Sequence, residues 1–139
     1  MTDEITISDD GARALREAKN YCWRSNVAIV APEHLLAGAL LVLGSSGVTG
    51  IPEVAALNEA VLAVHGSGSE PLQDNIRFGS AAREALNAMA VQLQEAGGTV
   101  VDARTIARGV IESGEVNPMF YSALAVTRQE LLAILGPEN

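Results

Sequence analysis

Few residues in this chain are equipped for chemistry: the adjacent pair Glu33-His34, a second histidine (His65) and a single cysteine (Cys22). A carboxylate beside an imidazole suggests either general acid–base work or metal ligation. Ligation on a helix wants a second histidine one turn along, and none lies at that spacing; His65 is far off in sequence. Two histidines supply no Ser/His/Asp array, and Cys22 falls on an apolar face with no base arranged to lower its pKa. The stretch Gly44-Ser45-Ser46-Gly47-Val48-Thr49-Gly50 is glycine-rich but has no lysine to reach a phosphate. The expectation is therefore a protein that is not an enzyme and needs neither metal nor cofactor. The plainer reading of Glu33 and His34 is a helix start: an acid in the first turn faces the positive end of the helix dipole, and the imidazole bonds a nearby backbone group.

The bulk composition narrows the classes further. Of the 139 residues 48% are hydrophobic but only 4% aromatic, which points to a core of Ala, Leu, Val and Ile and hence to helices. Nine basic against 17 acidic residues give a net charge of −8, so nucleic acid and anionic membrane surfaces are excluded as partners. One cysteine forms no internal disulfide, the acidic start MTDEITISDD is no signal peptide, and the apolar run Leu35–Leu43 is too short to cross a bilayer. The expected location is cytoplasmic.

What positions the candidate residues is an internal repeat. At an offset of 71, Ala14-Leu15 falls on Ala85-Leu86, Ile29-Val30 on Val100-Val101, Leu35 on Ile106 and Gly38 on Gly109. At 70, Leu62-Ala63 falls on Leu132-Ala133 and Gly66 on Gly136. Two glycines kept in register argue for tandem duplication rather than chance. The expected organisation is one domain over 1–139, with repeat one over 5–66, a Gly/Ser/Pro linker over 67–75 and repeat two over 76–136.

Each copy reads as helices joined by a short extended bridge, Ala28-Ile29-Val30 or Thr99-Val100-Val101. Ser8 or Asp9 caps the first helix of copy one, which stops near Asn26; Ser80 caps that of copy two, stopped by Gly97-Gly98. Pro32 and Asp102 open the second helices, and the one after Pro32 is apolar nearly all round and should be the most buried. Pro118–Leu124 makes a short third helix, and Thr127 with Glu130 forms a capping box for the last. The predicted fold is all-α: about eight helices, four per copy, with pseudo-two-fold symmetry.

These residues carry a resemblance. A helix of the form ARALREA, a turn, a hydrophobic bridge and then PEHLLAGAL, twice within the chain, resembles the Clp amino-terminal (Clp repeat) domain of the AAA+ unfoldases ClpA, ClpB and ClpC, over roughly residues 5 to 136. Glu33–Leu40 matches the family string E-H-L-L-x-G-x-L, whereas copy two keeps only its apolar positions and Gly109. No Walker A string is present, so the ATPase modules of those proteins have no counterpart here.

The resemblance implies a non-catalytic double Clp-N domain that docks unfolded or hydrophobic protein segments and adaptor proteins for an AAA+ unfoldase. It also implies where to look: Ile7 and its repeat mate Phe78, Arg13 and Glu84 on neighbouring first turns, and Glu33 with His34. Some ClpC-type members recognise phosphorylated arginine through the glutamate of each repeat. Here Glu33 stands opposite Arg104, so a symmetric acidic pair is broken. Large apolar side chains are enriched at docking surfaces, which adds Met119-Phe120-Tyr121, Tyr21 and Trp23. The alternative is a free-standing protein that sequesters peptides or small molecules in competition with a full-length unfoldase.

Overall fold

The structure, a computed structural model, describes residues 5–68 and 76–136. Most of the linker predicted over 67–75 lies outside the described residues.

Polar caps or αL stops mark out several of the helices. The Ser8 hydroxyl accepts from the Gly11 amide at the start of α1 (Asp9–Ser25), and Asn26 closes that helix in the left-handed conformation at φ 56°. The second helix, α2 (Pro32–Ser45), has proline in its first turn, and eleven of its fourteen residues are buried, which makes it the central element. In the second half, α4 (Ser80–Glu95) is followed by α5 (Ala103–Ser113), where the Asp102 carboxylate accepts from the Thr105 amide at 2.8 Å. Its counterpart to Ser8 is Gly79, not Ser80, so α4 begins without a side-chain cap. The short α6 (Pro118–Leu124) and the capping box of α7 (Arg128–Leu135) are present as the sequence predicts.

The helix count departs from expectation. Among the described residues there are seven helices rather than eight, because copy one runs from a turn-rich segment straight into a single α3 (Val54–His65). Gly47 and Gly50 there adopt φ of 95° and 88°, which breaks the chain where copy two forms α6.

The extended bridges do more than join helices. Two-residue strands β1 (Thr6–Ile7), β2 (Ile29–Val30), β3 (Arg77–Phe78) and β4 (Val100–Val101) form two parallel pairs, β1 with β4 and β2 with β3. Every pair joins one copy to the other. Their flanking bonds repeat at the 71-residue offset: Thr6 N–H donates to Thr99 O and Ser8 N–H to Val101 O, while Arg77 N–H donates to Ala28 O and Gly79 N–H to Val30 O. The pseudo-two-fold is thus written into the backbone.

The two in-register glycines lie where helices cross. A Cβ on Gly38 would stand 2.5 Å from Ala14 O and 2.8 Å from Ala18 N, so α2 rides directly on the α1 backbone. A Cβ on Gly109 would meet Met89 Cβ and Cγ at 2.5 Å. Ala18 and Met89 are repeat mates, so side-chain size sets how closely each helix pair approaches. With α2 against α1 and α5, one apolar core runs through both copies, from Leu35, Leu36 and Leu40 to Ile106, Ile111 and Phe120.

Candidate functional site

Glu33 and His34 turn inward. They are 3% and 0% exposed, at the start of α2. One Glu33 oxygen lies 2.6 Å from His65 Nε2 at the end of α3, and the other accepts from the Asn117 amide, the N-cap of α6, at 2.7 Å. His34 stacks on His65 with ring centroids 4.6 Å apart. The distant histidine is therefore a direct partner in space, and the carboxylate bridges the two copies.

His34 also explains how α2 starts without a capping side chain. Its Nδ1 accepts from the Ala31 amide at 2.9 Å, the task of the N3 acid in a capping box. In copy two the same two positions are Asp102 and Thr105, and there the N-cap side chain bonds the N3 amide instead. The two halves thus solve one problem from opposite ends. With Nδ1 accepting, the ring is neutral and its proton sits on Nε2, which is buried without a partner among the described residues.

The electrostatics follow from this packing. Burial, then the neighbouring His65, push the His34 pKa down to about 4, against a smaller opposing pull from Glu33. For Glu33, burial is the largest influence and favours the neutral acid. The bonds from His65 and the Asn117 amide, with the His65 charge, together outweigh it and hold the carboxyl below its ordinary range. Burial raises the Cys22 thiol to about 12, and it donates to Ile29 O at 3.7 Å; it is no nucleophile. Among the described residues, no three His, Cys, Asp or Glu side chains are placed to hold a metal ion.

Glu33 and His34, expected at a binding surface, are both enclosed here, and the carboxylate is already bonded on both oxygens. Arg104, the mate of Glu33, is instead exposed and lines a cavity of about 240 Å³ with Arg108, Asp102 and Met89.

Several of the other expected residues face outward. Ile7 is 53% exposed and helps line an apolar cavity of about 230 Å³ with Leu15, Leu86, Met89 and Ala90. Leu15 and Leu86 are repeat mates, so this cavity lies where α1 and α4 meet near the pseudo-two-fold. Phe78, the mate of Ile7, is differently placed. Lys19 stands 5.4 Å above the Phe78 ring, where copy two has only Ala90. Phe78 is half-buried, and Arg13 and Glu84 are exposed on the amino-terminal parts of α1 and α4. Of the remaining large apolar side chains, Phe120 and Tyr21 are core residues, whereas Trp23 and Met119 stand exposed.

Comparison with solved structures agrees with the geometry. The chain is similar to the N-terminal domain of the caseinolytic-protease-associated chaperone ClpD from Arabidopsis thaliana, at 18% identity and a TM-score of 0.72, covering 93% of this chain and 91% of that one. It is equally similar to the Hsp104 N-terminal domain from Candida albicans, at 16% identity and a TM-score of 0.72 over 96% and 89%. The fold is that of a Clp amino-terminal domain. No protein-family model and no curated protein matches the sequence significantly. The all-α Clp-N architecture expected from the repeat is thereby shown, and no described helix is long and apolar enough to cross a membrane.

Three participants escaped the sequence. His65 and Asn117 reach Glu33 from 32 and 84 residues away, with no local pattern to announce them. Lys19 could have been found by its contrast with Ala90 at the repeat offset.

Proposed function

We propose that this domain is a non-catalytic docking module, which receives apolar protein segments or an adaptor on behalf of an AAA+ unfoldase. The supporting observation is the open apolar cavity around Ile7, Leu15, Leu86 and Met89, beside a β1 strand whose Ile7 is half exposed. A preformed cavity of this size holds one or two apolar side chains without first being built. The net charge of −8 favours segments whose apolar residues are flanked by Lys or Arg.

The test is an NMR titration with an unfolded model protein. Resonances of Ile7, Leu86 and Met89 are expected to shift, and Ile7→Ser to weaken binding about fivefold through lost apolar burial. If those resonances stay still while others move, the cavity is not the docking site. Binding that transfers no substrate to any unfoldase would favour the sequestering alternative.

A further inference from the structure

We propose that the Glu33–His34–His65 cluster is an acid-sensitive latch, which holds α6 of copy two on α3 of copy one and releases it as the pH falls. The cluster lies where three elements converge: α2 supplies Glu33 and His34, α3 ends on His65, and α6 begins at Asn117. One carboxylate ties the last two together. Beneath it, α6 packs on α3, burying Phe120 and Leu124 on one side and Leu57 on the other.

Few other ionisable groups face the pair. The buried residues of α1 that can ionise, Tyr21 and Cys22, are both raised by burial to about 12 and so uncharged across the range. From α6 comes Tyr121, likewise raised to about 12, with Arg128 of α7 acting on it. The buried residues of α4 and α5 are apolar.

The sign follows from protonation. Folded His34 is neutral down to about pH 4, whereas in an opened junction it would regain its ordinary value of 6.5. Opening therefore takes up a proton between those values, and its population rises about tenfold per pH unit as acidity increases. Glu33 acts in the same direction. Its carboxyl is held below its ordinary range when folded, so the stability it gives is present above that range and is lost as acid protonates it. A protonated Glu33 gives up charge-assisted acceptance from the Asn117 amide. The latch is thus closed near neutrality and opens in acid, independently of what the Ile7 cavity binds.

Hydrogen exchange at the Asn117 amide reads the latch directly. Its protection, corrected for intrinsic exchange, should fall at least tenfold between about pH 7 and about pH 5 while a buried α2 amide such as Leu36 keeps its own. In His34→Asn, where the amide oxygen can still accept from Ala31, the pH response should disappear. Unchanged protection at Asn117, equal loss at Leu36, or a full response in His34→Asn would each overturn the proposal. Should that variant not fold, NMR titration of the wild-type imidazole decides instead: a His34 that titrates near 6.5 with Asn117 still protected overturns it, and one that remains neutral until Asn117 opens supports it.

Discussion

At the scale of single residues, Glu33 has the largest role for its size. Replacing it with alanine strands the Asn117 amide and the His65 ring together, in a site 3% exposed. Glu33→Ala should cost about 3 kcal/mol, read as a lower midpoint of chemical denaturation. Arg104→Ala, at the equivalent but exposed position, should stay within about 0.5 kcal/mol. The sequence marked Glu33-His34 as unusual but not why. An acid in a first turn is ordinary, and only the folded chain shows that its partners come from α3 and α6. Ile7 was legible as a surface position through the family resemblance. The Lys19 ammonium above its mate Phe78 was not foreseen, because that lysine comes from α1, far off in sequence.

At the scale of elements, caps and glycines decide where helices run and how near they come. Gly38→Ala would drive a methyl group into the α1 backbone, which cannot move aside, and should cost about 3 kcal/mol. Gly109→Ala would stand 2.5 Å from Met89 Cβ and Cγ, atoms held close to the α4 backbone, so a similar cost of about 3 kcal/mol is expected. Thermal unfolding should show both variants destabilised to a similar degree. This register was the most readable part of the chain, since crossing points demand glycine whatever else drifts. The missing eighth helix was harder to read, because Gly47, Gly50 and Pro52 left the third helix of copy one either shortened or pushed toward residues 53–57. The positive φ at both glycines settles it.

At the scale of the whole molecule, neither copy is complete. Both strand pairs and the α2–α5 contact cross between halves, so a chain of 1–68 or 69–139 alone leaves Val30 or Val101 and one face of a central helix without cover. Circular dichroism should find each half largely unfolded and the mixture more helical than their sum. The duplication offset revealed that two like units exist. It did not reveal that they interlock, since identical bridges could equally have paired within a copy.

That interlocking has a consequence for synthesis. A ribosome delivers Ile7 long before Val101, and α2, with eleven residues destined for the interior, well before α5 emerges to cover it. The first half of the nascent chain must therefore wait outside the exit tunnel with the α5-facing side of its apolar helix unsheltered. During that interval the domain would be among the exposed segments that chaperones bind.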